Sequence, residues 1–161
     1  AGARAATGDV FLFLHADSLL PGEADRLILG GLRDSGRSWG RFDVRLSGTA
    51  KMLRMVEWMM NLRSRLTGIS TGDQGMFVER RLFHAAGGFP AVGLMEDIAL
   101  AARLKRQGRP LCLRETIITS SRRWEKNGVW RTIALMWILR LAYFLGKHPE
   151  RLSEIYHGRK A

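Results

Sequence analysis

Cysteine is nearly absent from the sequence, since Cys112 is the single one in 161 residues. One cysteine excludes an internal disulfide framework, which needs two thiols, and does not support a thiolate metal site. Structural disulfides belong to oxidising compartments, so this composition predicts a cytoplasmic protein.

Acidic residues and long apolar runs are also scarce. There are 15 Asp and Glu against 26 Lys and Arg, which gives a net charge of +11. This balance favours anionic partners such as nucleotide diphosphates, nucleic acid or acidic lipid. The longest apolar segment, residues 129–146, is interrupted by Arg131 and Arg140. It is short and charged for a membrane span, which needs about 20 largely apolar residues.

What the sequence does contain is typical of one globular domain. The hydrophobic fraction is 46%, the charged fraction is 25%, and the length suits a single core. Apolar runs alternate with amphipathic stretches, which predicts an α/β fold. We predict strands over residues 10–14 (buried on both faces), 42–46, 76–78, 111–113 and 116–119, and helices over 23–33, 52–60, 80–86, 96–107 and 129–146. The methionines of residues 52–60 follow helical spacing and are predicted to pack in the core.

The segment over residues 129–146 has two interpretations. Arg131 and Arg140 are nine positions apart, which places them on opposite sides of a helix. Such a helix either packs on several sides or lies at a membrane surface, where Trp130 and Trp137 would suit the interface.

Two pairs of residues carry the chemistry that the sequence suggests, His15 with Asp17 and Glu96 with Asp97. Asp17 follows the strand of residues 10–14, and the carboxyl end of a buried strand is where α/β sheets bind ligands. A carboxylate there suits Mg²⁺ or Mn²⁺, which favour oxygen ligands and often share them with substrate phosphates. Glu96 and Asp97 fall in the first turn of a predicted helix, where the dipole keeps a proton-accepting carboxylate ionised. Each pair alone also fits helix capping without chemistry.

The segment Ser120–Trp124 adds a basic and aromatic pair. Arginine binds diphosphates through paired hydrogen bonds, and tryptophan can stack on a sugar or base. A basic surface loop with one anchoring aromatic residue is the alternative. The loop Gly72-Asp73-Gln74-Gly75 is predicted to be a turn.

The order of these motifs resembles the family 2 glycosyltransferases of the GT-A fold. The closest resemblance is to a bacterial subgroup that carries Leu-His-Ala-Asp in place of Asp-x-Asp. The resemblance covers nearly the whole chain and rests on this series: Thr7-Gly8-Asp9, Leu14-His15-Ala16-Asp17-Ser18, Gly72-Asp73-Gln74-Gly75, Gly87-Gly88-Phe89-Pro90, Met95-Glu96-Asp97 and Arg122-Arg123-Trp124.

The resemblance implies a role for each matching residue. Asp97 is the implied catalytic base, with Glu96 beside it, and Asp17 is the implied ligand of a divalent Mn or Mg ion. The implied substrate-binding residues are His15, Gly72, Asp73, Gln74, Arg123 and Trp124. The implied reaction is inverting transfer of a sugar from a nucleoside diphosphate sugar to an acceptor hydroxyl, and the acceptor is unknown or lipid-linked.

The resemblance also implies an architecture. The fold class is a partial three-layer GT-A sandwich, Rossmann-like, without its first strands, so the chain corresponds to the later part of the domain. Residues 1–128 are the implied catalytic portion, and residues 129–161 are the implied helical extension, which the membrane-surface interpretation of residues 129–146 places at the inner membrane. A sheet edge exposed in this way would invite pairing with a second copy of the chain. The alternative is a basic, non-catalytic module for nucleic acid or an acidic membrane, although no nucleic-acid recognition motif is present.

Overall fold

A computed structural model describes residues 2–92 and 94–147, and within them the chain alternates helices and strands. The strands are β1 (Val10–Phe13), β2 (Ser18–Leu19), β3 (Trp39–Leu46), β4 (Met76–Glu79) and β5 (Leu111–Thr119). The helices are α1 (Gly2–Ala5), α2 (Ala24–Ser35), α3 (Lys51–Thr67), α4 (Arg80–Ala85), α5 (Glu96–Gln107), α6 (Arg122–Asn127) and α7 (Val129–Phe144), and a 3₁₀ turn spans Gly72–Gln74.

The described strands form one mixed sheet in the order β1-β4-β3-β5-β2. β3 and β5 are parallel and pair from Gly40 opposite Leu111 to Leu46 opposite Thr119, and the other pairs are antiparallel. The prediction of two strands over residues 111–113 and 116–119 is wrong, because β5 is continuous. Its register with β3 shifts between Arg41 and Asp43, and the polar residues that seemed to break the strand remain exposed within it.

β1 lies at an edge of the described sheet, with β4 as its one neighbour there. The prediction that this strand is buried on both faces is wrong. Of its four residues only Phe11 is buried, since an edge strand has fewer neighbours to cover it. The edge predicted from the resemblance is therefore present in this part of the chain, while pairing with a second copy stays a prediction.

Helices cover both faces of the sheet and make three layers. α2 packs Ile28 and Leu32 on one face, against Phe42, Phe77 and Ile117. α4 and α5 cover the other face, where Phe83, Leu100 and Leu104 pack against Phe11, Trp39, Met76 and Val78. Successive residues of β4 point to opposite faces, so Phe77 belongs to the first layer and its two neighbours belong to the second.

α3 and α7 lie beside this core and leave part of their apolar surface uncovered. In α3 the buried positions are Leu53 and Val56, whereas Met52 and Met55 are more than a third exposed. The prediction that the methionine stripe packs in the core is therefore wrong for these two residues, because Leu53 and Val56 occupy the inner side of the helix.

α7 combines a buried contact with an exposed apolar face. Leu139 is fully buried against Met95 and Ile98, at the start of α5. Trp130, Trp137, Ile138, Leu141 and Phe144 are each more than half exposed. None of the helices in the described ranges has the length and apolar character needed to cross a membrane. The rest of the predicted extension, residues 148–161, lies outside the described residues, and the division of domains at residue 128 stays a prediction.

Candidate active site

His15 and Asp73 form the centre of the candidate site. His15 lies in the turn after β1, and its Nδ1 is 3.1 Å from Oδ1 of Asp73, with both side chains about half exposed. The pKa of His15 is raised, first by the hydrogen bond to Asp73 and then by the charges of Asp73, Asp97 and Asp17, while burial opposes the shift. The charged imidazolium is therefore favoured next to a carboxylate.

Gly72 allows the close approach of the loop to His15. A Cβ atom at this position would collide with the His15 imidazole, so a glycine is required for the observed contact. The backbone N–H of Gly72 donates to Oδ2 of Asp97 at 2.7 Å. Gly72 therefore joins the turn after β1 to the start of α5.

Asp97 is fixed by two backbone donors in the first turn of α5. Besides the Gly72 bond, Oδ1 accepts a hydrogen bond from the Ile98 N–H at 2.7 Å. Burial raises the pKa of this carboxyl, Glu96 and Asp73 raise it further, and the two hydrogen bonds act in the opposite direction. Glu96 is exposed. The acidic pair predicted from the sequence thus consists of one oriented carboxylate and one solvated carboxylate.

Gln74 supports the loop from beneath. Its side chain is fully buried, and its amide donates to Ser64 Oγ at 2.9 Å and to Asn61 Oδ1 at 3.4 Å. Its carbonyl oxygen accepts from the Thr71 N–H at 3.3 Å. The predicted substrate contact of Gln74 stays a prediction, and in the structure this side chain points into the protein.

Asp17 lies apart from the oriented carboxylate. It is exposed, although its charge contributes to the raised pKa of His15. Among the described residues, no three side chains of His, Cys, Asp or Glu come together in a way that could hold a metal ion. The predicted role of Asp17 as a metal ligand therefore stays a prediction.

Arg123 and Trp124 belong to α6, on the same side of the molecule. Trp124 lines a cleft together with Asp73. Burial lowers the pKa of Arg123, and the nearby charge of Asp73 opposes this. The structure therefore brings His15, Gly72, Asp73, Asp97, Arg123 and Trp124 to one region, with Asp17 at its exposed margin.

Two arginines that the sequence did not suggest complete this region. Arg63 of α3 and Arg140 of α7 line the same cleft, which encloses about 550 Å³ including open solvent at its mouth. Burial, followed by the charge of Arg140, lowers the pKa of Arg63 to about 10. Burial also lowers the pKa of Arg140. The charge that interrupts the apolar segment 129–146 was the signal that could have identified Arg140.

Comparison with protein-family models and with curated proteins gives no match. Among solved structures, the chain is similar to the mannosyltransferase PcManGT from Pyrobaculum calidifontis, which was solved in complex with GDP-Man and Mn²⁺. The identity is 23% and the TM-score is 0.53 over 97% of this chain. The match covers 45% of the mannosyltransferase chain, so this chain spans less than half of its length. The described part of this chain therefore shares part of the α/β fold of that mannosyltransferase.

Proposed function

We propose that this chain carries the catalytic base and part of the donor-binding surface of a glycosyltransferase active site. The reaction is transfer of a sugar from a nucleoside diphosphate sugar to an acceptor hydroxyl, with inversion at the anomeric carbon. The observation that carries the proposal is the Asp97 carboxylate, held by the Gly72 N–H next to the His15–Asp73 pair, in a fold shared with a mannosyltransferase.

Asp97 is the proposed base. Its two backbone donors fix the direction of both oxygens, and burial makes it a stronger proton acceptor than a solvated aspartate. In the proposed step the acceptor oxygen bonds to the anomeric carbon while its proton passes to Asp97. The bond from that carbon to the diphosphate breaks, and its electron pair leaves with the nucleoside diphosphate.

The departing diphosphate needs positive charge close to it. His15, which favours its charged form, and Arg123 are the proposed donors of that charge, and Trp124 is the proposed stacking surface. Glu96 is solvated and is proposed to tune Asp97 through its charge rather than to accept a proton. Gln74 is proposed to act by holding the loop that contains Gly72 and Asp73.

A panel of nucleotide sugars and acceptors, with release of nucleoside diphosphate as the readout, tests this function. Asp97→Asn keeps the shape of the side chain and removes the base, so transfer should fall by about 10²–10⁴-fold while donor affinity is retained. Asp25→Asn is the matched control, because Asp25 is an exposed acid in the first turn of α2. Near-normal turnover of Asp97→Asn would remove Asp97 from the role of base.

The same assay tests the predicted divalent cation. Mn²⁺ accompanies GDP-Man in the similar mannosyltransferase, whereas the residues described here do not assemble a metal centre alone. A cation that is bound mainly through donor phosphates should be required for release and should be removed by a chelator. Release that is unchanged by Mn²⁺, Mg²⁺ and chelator would contradict the predicted metal site at Asp17.

A further inference from the structure

A second cavity lies at the end of the sheet where β3 and β5 begin. Its lining includes Arg37, Arg65 and Arg109, and it encloses about 620 Å³ including open solvent at its mouth. The three arginines come from the connection before β3, the last turn of α3 and the connection before β5. None of the described residues that line the cavity is Asp or Glu. Three separate segments therefore bring positive charge to one recess.

This cavity is separate from the cleft of the candidate active site. β5 begins at Leu111, which lines the cavity, and ends at Thr119, shortly before Trp124 in the cleft. The strand has nine residues. Its two ends are therefore about 25–30 Å apart, because each residue of a strand rises about 3.3 Å. No described residue lines both the cavity and the cleft.

Most of the positive charge at the cavity has no counter-charge. Within residues 2–92 and 94–147, Asp43 is the carboxylate that pairs with an arginine of the cavity, through Arg65 Nη2 at 2.6 Å. The same carboxylate also pairs with Arg41, which is fully buried. Arg37 and Arg109 form no ion pair with the described residues. These four arginines and one carboxylate therefore leave three positive charges at this place.

Two of the arginines are held in place by backbone carbonyl groups. Arg37 Nη1 donates to the carbonyl oxygens of Arg109 and Pro110, at 2.7 and 3.2 Å. Arg65 Nη1 donates to the carbonyl oxygen of Cys112 at 3.3 Å. Arg109 is exposed, and its guanidinium makes no hydrogen bond to the described residues. An anion would therefore meet two guanidinium groups that are already oriented, which lowers the entropy cost of binding, and a third whose donors are available.

We propose that this cavity binds a small molecule through a diphosphate or triphosphate group, with Arg37, Arg65 and Arg109 donating to the phosphoryl oxygens. Planar guanidinium groups match phosphate oxygens through paired hydrogen bonds. One phosphomonoester carries about 1.5–2 negative charges at neutral pH, so three positive charges match a group with more than one phosphate. The proposal adds a second site to the chain and does not depend on the proposed transfer reaction.

The arrangement of the charge favours a compact ligand over a polymer. The arginines converge on one recess, whereas nucleic acids are bound by basic residues that follow the backbone as a stripe. The other described lining residues are Gly68, Pro110, Leu111 and Cys112. None of these four offers an aromatic ring on which a base could stack. A small phosphorylated molecule therefore fits this cavity better than a nucleic-acid strand.

Cys112 provides a measurement that is specific to this cavity. It lines the cavity beside the arginines, is partly exposed, and is the single cysteine of the chain. Inorganic diphosphate should therefore slow its alkylation by the uncharged reagent iodoacetamide, which mass spectrometry of the intact chain follows. At about ten times the Kd, roughly nine-tenths of the sites are occupied, so the rate should fall by about tenfold. The diphosphate concentration that halves the rate gives the affinity.

Two substitutions test the arginines in this assay. Arg109→Gln should weaken the affinity by about tenfold, which corresponds to 1.4 kcal/mol, and should fold normally because this guanidinium makes no described hydrogen bond. Arg37→Gln should weaken it by a similar factor, and thermal unfolding shows whether the loss of two carbonyl contacts affects the fold. Arg81→Gln is the matched control, because Arg81 is exposed on α4 and lines neither the cavity nor the cleft. Its affinity should equal that of the native chain.

Several results would overturn the proposal. An equal loss of affinity in Arg81→Gln would indicate general attraction to a basic protein. Equal protection by inorganic monophosphate, sulfate and diphosphate would show that no group of several phosphates is recognised. Unchanged alkylation of Cys112 at saturating diphosphate would place any bound ligand elsewhere, and a loss of affinity in Arg123→Gln would place it at the candidate active site. Tighter protection by double-stranded DNA would assign the basic residues to nucleic acid.

A nucleoside diphosphate distinguishes the two sources of the phosphate group. Protection of Cys112 at the same concentration as inorganic diphosphate would show that the phosphate group alone is recognised. Protection at a concentration about tenfold lower would identify the ligand as a nucleotide. Both results support the site. Loss of sugar transfer in Asp97→Asn with full protection of Cys112 would show that the two sites act separately.

Discussion

Gly72 lies between His15, Asp73 and Asp97. A methyl group added at this position tests the contact between His15 and Asp73. In Gly72→Ala the new Cβ collides with the His15 imidazole, whereas the backbone at this glycine is outside the left-handed region. The His15 side chain is 52% exposed, so it can rotate into solvent without disturbing the core. We therefore expect the variant to fold and to lose the contact between His15 and Asp73.

The structure sets the size and the sign of the effect. A half-exposed ion pair contributes about 0.2–1 kcal/mol to the free energy of unfolding, so the loss should fall in that range. The pKa of His15 is raised in the folded protein, chiefly by Asp73, and should fall in the variant. A histidine whose pKa is raised on folding stabilises the folded protein fully at a pH below its unfolded-state pKa. This stabilisation disappears as the pH rises through its folded-state pKa. Relative to the native protein, the variant should therefore be less stable in mild acid than in base, by about that amount, because the effect of the added methyl group on the unfolded chain is the same at both pH values.

Two measurements check this reasoning. NMR titration of the His15 ring proton follows its pKa, and urea unfolding at about pH 5 and about pH 9 follows the stability difference on either side of the titration. Gly30→Ala is the control, because nothing lies within 4 Å of a Cβ at this position of α2. It should stabilise by about 0.5–1 kcal/mol at both pH values. The reasoning is refuted if the pKa of His15 stays raised in Gly72→Ala, or if the loss of stability is the same at both pH values.

Two further predictions concern the residues on either side of this contact. Burial raises the pKa of Asp97 in the folded protein. The contribution of this shift to the free energy of unfolding is therefore complete below the pKa of an unfolded aspartate, and it is lost as the pH rises through the folded-state pKa. Asp97→Asn should therefore gain stability relative to the native protein between about pH 3 and pH 7 in urea unfolding, and a constant difference would contradict the shift. Gln74→Leu leaves the Thr71 N–H without its partner and should cost about 1–3 kcal/mol, measured by thermal unfolding, whereas a neutral result would mean that the buried amide does not support the loop.

Local periodicity was sufficient to predict most of the described elements. The helices α2 and α5 and the strand β4 follow from apolar spacing, whereas the helix predicted over residues 52–60 is longer in the structure and continues to Thr67. The predictions failed where burial depends on neighbours that are distant in sequence. β1 is apolar but lies at an edge, and Met52 and Met55 of α3 lie outside the core because Leu53 and Val56 occupy the inner side of that helix.

In the candidate site, too, residues with a local sequence pattern could be predicted, whereas residues that are brought together by tertiary packing could not. Asp97 could be singled out because a carboxylate at a helix start has a local pattern, and the structure adds its contact with Gly72. Arg63 could not be singled out, because it is one of 26 basic residues and only tertiary packing brings it to Arg140. The different environments of Glu96 and Asp97 also depend on the approach of the loop that contains Gly72. This approach cannot be predicted from the spacing of residues in the sequence.

The parallel pairing of β3 with β5 has a consequence for how the protein folds. Gly40 and Leu111 are partners although 71 positions separate them, so this ladder closes a long loop before its hydrogen bonds form. Contacts of such long sequence separation slow folding, because the entropy of the chain is lost before the pairing compensates for it. The helix that carries Asp97 lies within that loop, whereas His15 lies outside it. During refolding, binding of the nucleotide sugar donor should therefore return with the slowest phase, after the circular dichroism signal of the helices has recovered.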